Sequence, residues 1–238
     1  MPKPKKQNLP KHIAIICDGN RRWARAKGLP VFEGHRQATN KVFDKLVDHA
    51  AKRGIKYLTF WIFSTENWSR DKKEVEGLMN LFRWFFDNRI NEFKKKNVRF
   101  NMIGNLEDFP PDIRKRIRDG MEKTKDCNKI TVTLAMSYGG RDELARAMRK
   151  IAKKVEAGEV EIKQINPQLI SDNLDTVGIP DPELIIRTSH EQRLSGFLLW
   201  QSEYSEFYFP KFNFPDFTAE KFDEALEEFA DRGRRFGK

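Results

Sequence analysis

The chain is poor in the features that mark secreted and membrane proteins. Its 238 residues include only two cysteines, Cys17 and Cys127, which form neither a disulfide framework nor a metal-ligand spacing. No apolar run approaches the roughly 20 residues that a membrane-spanning helix needs. The opening MPKPKKQNLPK lacks the apolar segment of a signal peptide, so we expect residues 1–11 to form a basic, flexible arm. These absences favour a cytoplasmic protein.

The composition is that of a globular protein with a strong positive charge. Hydrophobic residues make up 39% of the chain, enough for one sizeable core, and we expect a single domain over residues 12–238. The formal net charge of +10 favours acidic partners, which include nucleic acid, anionic membrane surfaces and phosphorylated substrates. No nucleic-acid-binding signature occurs, so we expect no nucleic acid partner.

Short apolar runs alternate with amphipathic stretches along the chain. This alternation predicts an α/β fold with a doubly wound parallel sheet, since several runs are apolar on both faces. The predicted strands are residues 12–17, 57–63, 98–103, 130–136, 183–187 and 204–209. The predicted helices are residues 34–54, 72–97, 110–127, 141–157 and 218–232.

The segment IAIICDGNRRW, residues 13–23, has the residues of a phosphate site. Gly19 lets the backbone approach an anion, a following helix offers free N–H groups, and Arg21 and Arg22 supply positive charge. Asp18 would repel a phosphate unless a hard cation such as Mg²⁺ lay between them. The alternative is an ordinary Asp-Gly turn beside solvated arginines.

Polar loops follow the other predicted strands. STENWSR comes after the second, SYGGR after the fourth and RTSHEQRLS after the fifth. Because the carboxyl ends of parallel strands meet at one edge, these loops could together bind a multiply charged anion. Each could also be an ordinary solvated connection.

The predicted helix 72–97 has a broad and unusually aromatic apolar face. Its spacing is typical of a core-facing helix. The alternative is an apolar wall beside the phosphate site, which together with the positive charge indicates a substrate with a diphosphate head and a hydrocarbon tail.

Several motifs, in order, closely resemble the cis-prenyltransferases of the undecaprenyl diphosphate synthase family. They are HIAIICDGNRRWARAKG, FSTENWSR, SYGGRDEL and IIRTSHEQRLSGFLLWQSEYSEFYF. The resemblance implies a single-domain parallel sheet of about six strands, surrounded by helices, with a hydrophobic tunnel. It also implies a Mg²⁺-dependent condensation of isopentenyl diphosphate onto an allylic prenyl diphosphate to give a (Z)-polyprenyl diphosphate. Trans-type synthases use DDxxD motifs, and this chain has no Asp-Asp pair.

The resemblance assigns roles to individual residues. It implies that Asp18 and Asn67 are catalytic and that Asp18 and Glu206 are Mg²⁺ ligands. A neutral amide is a poor base, so we interpret Asn67 first as an orienting group. The implied substrate-binding residues are Gly19, Asn20, Arg21, Arg22, Trp23, His35, Ser64, Thr65, Glu66, Trp68, Arg70, Arg187, Arg193, Leu194, Ser195, Arg235 and Gly237. The last two match an Arg-x-Gly that reaches a partner subunit's site, which implies a homodimer.

Three positions depart from the family pattern. Val31 stands where many members have an arginine, which leaves Arg25 or another base to compensate. His190 replaces a usual glycine and would be strained if its φ were positive. Gly196 replaces a common asparagine, a mild change.

The length of the product depends on the tunnel. Strand alternation places Ile62 on the face of Ser64, where a β-branched side chain would narrow the tunnel and give a short or medium product. Ile62 could equally pack only in the core. The other predicted tunnel residues are Phe82, Phe86 and Met136.

Two further expectations concern partners and activity. The lipid product implies peripheral contact with a membrane. The alternative function is a catalytically weak or silent subunit of a heteromeric prenyltransferase, although the chain keeps Asp18 and the FSTENW motif.

Overall fold

Six parallel strands form one central sheet in the computed structural model, which describes residues 9–232. The strands are β1 His12–Ile16, β2 Tyr57–Ser64, β3 Val98–Ile103, β4 Ile130–Tyr138, β5 Leu184–Arg187 and β6 Glu206–Tyr208. Their order is β3-β4-β2-β1-β5-β6, and each neighbouring pair is parallel. The predicted α/β sheet of about six strands is therefore confirmed.

Helices cover both faces of the sheet. They are α1 Asn20–Ala26, α2 Val31–Gln37, α3 Phe43–Arg53, α4 Lys72–Lys95, α5 Pro111–Thr124, α6 Gly140–Glu156, α7 Pro167–Ser171 and α8 Ala219–Asp231. A π-helical turn, Ala38–Val42, joins α2 to α3, so the predicted helix 34–54 has an irregular middle. Within the described residues, no helix is long and apolar enough to span a bilayer.

The alternating side chains of β1 divide the core between the two faces of the sheet. Ile13 and Ile15 belong to the larger apolar cluster, which includes buried side chains of α3, α4, α5 and α8. Ala14 and Ile16 belong to a smaller cluster on the other face. Both faces of β1 are thus buried. Asp18 follows β1 at the carboxyl edge of the sheet, the edge at which open α/β sheets bind ligands.

An irregularity interrupts β2 at Ile62. Trp61 pairs with Ala135 and Phe63 pairs with Met136, so one extra residue of β2 stands between two consecutive residues of β4. Trp61 packs in the smaller cluster, whereas Ile62 and Phe63 both lie on the side of the larger one. A β-bulge of this kind turns a side chain toward a new direction.

Candidate functional site

Asp18 is the centre of a hydrogen-bonded cluster at the carboxyl edge of the sheet. Its Oδ2 accepts from Arg187 Nη2 at 3.0 Å, and its Oδ1 lies 3.0 Å from Arg22 Nη2. The Gly19 N–H also donates to Asp18 Oδ1, at 2.7 Å. Gly19 has a φ of +96°, and a Cβ there would lie 2.0 Å from Ser189 Oγ, so the turn needs glycine.

The charge of Asp18 is fixed by these partners. Partial burial disfavours the carboxylate, but the hydrogen bonds from Arg187 and Arg22 outweigh burial and hold the pKa of Asp18 below its ordinary value. Asp18 is therefore ionised at neutral pH. The site presents one carboxylate surrounded by cationic groups.

Arg187 connects Asp18 to the loop that follows β5. Its Nη1 donates to Ser195 Oγ at 2.8 Å and also to the carbonyl oxygen of Arg193. Its side chain is only 8% exposed. The buried Arg187 Nε has no hydrogen-bond partner among the described residues, so one donor remains for a bound anion.

The loop after β5 is held in a left-handed backbone conformation at several points. Ser189 and His190 have φ values of +73° and +60°, which confirms the strain expected at His190. Ser195 has a φ of +52°, whereas Gly196, at +92°, adopts its conformation without a Cβ penalty. Such strain concentrates at functional sites, where the surrounding contacts maintain it.

The Asp18 cluster and the loop after β5 form one wall of the site, and residues 64–70 form the second wall. Ser64 and Asn67 make a reciprocal capping box at the start of a 3₁₀ turn, Thr65–Ser69. The side-chain oxygen of Asn67, Oδ1, accepts from the Ser64 N–H at 3.1 Å. The Asn67 Nδ2 is a hydrogen-bond donor, and Asn67 lines the recess.

A polar recess lies between the two walls. Its lining residues are Ile16, Cys17, Asp18, Gly19, Asn20, Arg21, Arg22, Arg25, His35, Trp61, Ile62, Phe63, Ser64, Asn67, Arg70, Arg187 and Ser195. Arg25, which the sequence offers as a substitute for the arginine absent at position 31, lines this recess. Five of its side chains are guanidiniums, which match the multiply charged anion that the sequence predicts.

His35 stands at the back of the recess in a neutral state. Burial, together with the cations Arg70 and Arg21, lowers its pKa to about 4. Its Nε2 is buried and has no hydrogen-bond partner in the described part of the chain. The Oδ1 of Asn20 is in the same condition, while its Nδ2 donates to the Cys17 carbonyl at 3.1 Å. The His35 Nε2 can donate to or accept from a bound group according to its tautomer, whereas the Asn20 Oδ1 can only accept.

An apolar cavity opens from the recess into the larger cluster of the core. Its empty volume is about 600 Å³, which includes the open space at its mouth. Cys17, Asn20, His35 and Ile62 line both the recess and the cavity. The other lining residues are Ala38, Thr39, Phe43, Leu78, Leu81, Phe82, Phe85, Leu134 and Phe214. Ile62 and Phe82 therefore lie where the sequence predicts tunnel residues.

Two other predicted tunnel residues lie elsewhere. Phe86 and Met136 are buried in the larger core cluster but are not among the lining residues of the cavity. Phe86 packs on Phe100, with ring centroids 5.6 Å apart. The helical spacing of α4 cannot separate a wall residue from a core residue, because both are apolar.

Asp18 and Glu206, the two implied Mg²⁺ ligands, lie far apart within one chain. Glu206 begins β6 and pairs with Leu184, which in turn pairs with Ile13. Asp18 lies five residues beyond Ile13, about 15 Å farther along the strand direction. The Glu206 carboxylate instead pairs with Arg232 Nη1 at 3.0 Å. The two carboxylates of one chain therefore cannot share a metal ion.

The remaining predicted residues surround the site without lining the recess. Trp23 Nε1 donates to Asp216 Oδ1 at 2.8 Å, Glu66 is exposed, and Thr65 packs near Gly139. Trp68 lies behind the turn, and Leu194 packs on the smaller cluster. Arg235 and Gly237 lie outside the described residues.

Some contributors were not predicted from the sequence. Glu191 links α1 to the loop after β5, because it accepts from Arg22 Nη1 at 2.7 Å and from Arg193 Nη1 at 2.5 Å. Its position in the RTSHEQRLS loop was the available signal. Thr39 and Phe214 line the cavity, but a π-helical turn and a distant 3₁₀ turn bring them there, and neither has a sequence signature.

Comparison with known proteins identifies the family. The family model described as "Putative undecaprenyl diphosphate synthase" matches residues 16–237. An isoprenyl transferase of Clostridium perfringens is 48% identical over 229 residues, which are 96% of this chain and 90% of the relative. A Micrococcus luteus protein named ditrans,polycis-undecaprenyl-diphosphate synthase, (2E,6E)-farnesyl-diphosphate specific, is 43% identical over 96% of this chain and 92% of the relative.

Solved structures agree with the sequence comparison. Lavandulyl diphosphate synthase from Lavandula x intermedia, in complex with dimethylallyl diphosphate, superposes with a TM-score of 0.93. It is 36% identical and covers 97% of this chain and 99% of its own. A probable undecaprenyl diphosphate synthase from Campylobacter jejuni has a TM-score of 0.80 and 36% identity, over 97% and 100% of the two chains.

Proposed function

Since the chain belongs to the undecaprenyl diphosphate synthase family and is a cis-prenyltransferase, we propose that it condenses isopentenyl diphosphate onto an allylic prenyl diphosphate to extend a (Z)-polyprenyl chain. One observation carries this proposal. The arginine-rich recess opens directly into an apolar cavity, and Cys17, Asn20, His35 and Ile62 border both. A prenyl diphosphate has the same two parts, a charged head and an apolar tail.

The residues of the recess suit the charges of this reaction. The allylic C–O bond breaks as a new C–C bond forms, and the leaving diphosphate gains negative charge. Arg21, Arg22 and Arg25 can stabilise that charge, while Arg187, Arg193 and Ser195 suit the diphosphate of isopentenyl diphosphate. The proton lost from the isopentenyl unit can pass to a diphosphate oxygen, because the neutral amide of Asn67 is a poor base.

The recess also fits Mg²⁺ as the cofactor. This ion binds through one or two protein oxygens and otherwise through substrate phosphates and water. Asp18 supplies an ionised carboxylate, and the unpartnered Oδ1 of Asn20 is a second oxygen nearby. No group of three histidine, cysteine or acidic side chains among residues 9–232 forms a metal cage. When bound, Mg²⁺ would neutralise the charge of the leaving diphosphate.

Three finer features complete the proposal. We propose a homodimer, a cytoplasmic location and peripheral contact with a membrane through the lipid product. We further propose a short or medium product, because Ile62 borders the cavity at its mouth.

A direct assay tests the proposed activity. The full chain is incubated with Mg²⁺, labelled isopentenyl diphosphate and allylic primers of several lengths, and the products are sized by chromatography. We expect incorporation of label with at least one primer and loss of incorporation with EDTA. No turnover with any primer would instead favour a silent subunit.

A further inference from the structure

A chain of hydrogen bonds ties Trp68 to a distant turn of the fold. Trp68 Nε1 donates to Ser137 Oγ at 2.8 Å, and Ser137 Oγ donates to Asp108 Oδ2 at 2.5 Å. An indole nitrogen can only donate, and a hydroxyl has a single proton. The direction of both bonds is therefore fixed, and the chain ends on a charged acceptor. We call Trp68, Ser137 and Asp108 the Trp68 latch.

Ser137, the middle residue of the Trp68 latch, is tightly constrained. It is 0% exposed, and its φ is +45°, in the left-handed region that non-glycine residues rarely adopt. Its carbonyl oxygen accepts from the Asn105 N–H at 3.1 Å. A buried residue in this conformation persists only where its neighbours impose it. The hydroxyl of Ser137 thus has a defined position for relaying the contact.

The segment that contains Asp108 also packs against the indole ring of Trp68. The ring of Phe109, next to Asp108, lies 5.3 Å from the Trp68 ring, and Phe63 meets Trp68 edge-on at 4.8 Å. The 3₁₀ turn Leu106–Asp108 is itself fixed, because Asn105 Nδ2 donates to Asp108 Oδ1 at 2.6 Å. Polar and aromatic contacts from one turn therefore determine where Trp68 lies.

Trp68 belongs to the 3₁₀ turn whose neighbouring residues reach the recess. Asn67 precedes it and Arg70 follows two residues later, and both line the recess. Asp108 lines neither the recess nor the apolar cavity. We propose that Asp108 is a positioning residue: through Ser137 it holds Trp68, and thereby sets Asn67 and Arg70 for the condensation. This inference rests on the proposed function for its kinetic consequence.

Kinetics of single variants give the first test. Asp108→Ala removes the final acceptor, and we expect kcat to fall about tenfold, the effect of losing one or two hydrogen bonds. Asp108→Asn keeps an acceptor oxygen and should recover most of the activity. Glu107→Ala is the matched control, since Glu107 is exposed in the same turn and pairs only with Arg114 and Arg118 in the described chain. An Asp108→Ala enzyme as active as the control would overturn the proposal.

A double-mutant cycle tests whether the residues act through one chain of bonds. Trp68→Phe keeps an aromatic ring but lacks the N–H. If Asp108 acts through Trp68, the double variant should lose little more kcat than the worse single variant. Independent, multiplying losses would contradict the relay.

Hydrogen exchange tests the latch without relying on activity. In the unliganded protein, Asp108→Ala should speed amide exchange over residues 65–70 about tenfold, whereas Glu107→Ala should not. Unchanged exchange would refute the latch. If the wild-type chain shows no prenyl transfer but exchange responds as expected, the proposed function fails and the latch stands.

Discussion

Asp18 combines two chemical demands in one residue. It must stay ionised near bound diphosphates, and it must remain available to a cation. Arg187 and Arg22 satisfy the first demand by lowering its pKa. They also leave it partly exposed, with 27% of its side chain accessible. A cation that binds with the substrate can therefore replace Arg22 at the Asp18 carboxylate, because the Arg22 side chain is itself 46% exposed.

Replacing Asp18 should remove catalysis while leaving the fold. We expect Asp18→Ala to lower kcat by a hundredfold or more, roughly the cost of losing one group that stabilises transition-state charge. Steady-state kinetics at saturating Mg²⁺ provide the measurement, and circular dichroism checks the fold. Asp119→Asn, at an exposed ion pair with Lys115, should retain full activity. Near-normal turnover of Asp18→Ala would refute the assignment.

At the scale of elements, the strands could be predicted and several boundaries could not. The apolar runs of β1, β4 and β5 are specific because both of their faces are buried. Helix 34–54 was predicted as continuous, since one extra residue in a π turn hardly changes an apolar pattern. Glu206 was misplaced because its motif does not contain the register of β6 against β5. Register depends on contacts between distant segments, which one sequence does not display.

The close contact of α1 and α2 depends on Gly34. A Cβ there would lie 2.0 Å from the Asn20 carbonyl oxygen. Gly34→Ala should therefore lower the free energy of unfolding by about 2–3 kcal/mol, as overpacking does, and displace Asn20 from the recess. Chemical denaturation measures the change. Gly77→Ala, within α4, would place a Cβ 3.3 Å from the Phe32 ring and should range from neutral to about 1 kcal/mol stabilising. Equal effects of the two variants would contradict the contact argument.

Ile62 offers a test of how the cavity limits the product. Ile62→Ala widens the mouth, so we expect longer products at equal conversion, sized by reversed-phase chromatography. Phe86→Leu is the control, because Phe86 is buried but does not line the cavity. Unchanged products from Ile62→Ala, or lengthened ones from Phe86→Leu, would show that another wall sets the length.

For the whole molecule, the distribution of charge matters more than its total. The net charge of +10 is consistent with phosphorylated substrates, and five arginines line the recess. Cations elsewhere on the surface face nearby carboxylates, for example Arg83 with Asp112 and Lys96 with Asp48, whereas Asp18 is the one acidic residue among the described residues that line the recess. The recess therefore concentrates positive charge where diphosphates would enter.

The stability of the whole fold should depend on a buried neutral histidine. His12 Nδ1 lies 2.6 Å from the Pro180 carbonyl and its Nε2 lies 2.8 Å from Thr59 Oγ1. Burial lowers its pKa to about 4, against hydrogen bonding to Pro180 and the nearby charge of Glu183, which favour the cation. In the unfolded chain the His12 imidazole binds a proton near pH 6.5, whereas in the folded chain it stays neutral until about pH 4.

Acid should consequently weaken folding over a defined range. The free energy of unfolding should fall by about 3 kcal/mol between pH 6.5 and pH 4 from His12 alone. Denaturant titrations across this range provide the measurement. A His12→Gln variant, less stable at pH 7, should show a shallower decline. Parallel pH profiles for the two proteins would rule out His12 as the cause.

The extra residue at Ile62 shifts the phase of β2 locally, and the register with β4 recovers at Ser64, which pairs with Tyr138. Up to Trp61 the side chains of β2 alternate between the two core clusters in step with β4. Strict alternation would then put Phe63 on the same face as Trp61, but Phe63 packs in the larger cluster. A relative without the extra residue would present a different side chain to the cavity at the aligned position. Rules that relate product size to one aligned residue would then compare side chains that point in opposite directions. Relatives must therefore be aligned by the face of the strand that each side chain occupies before their residue types are compared.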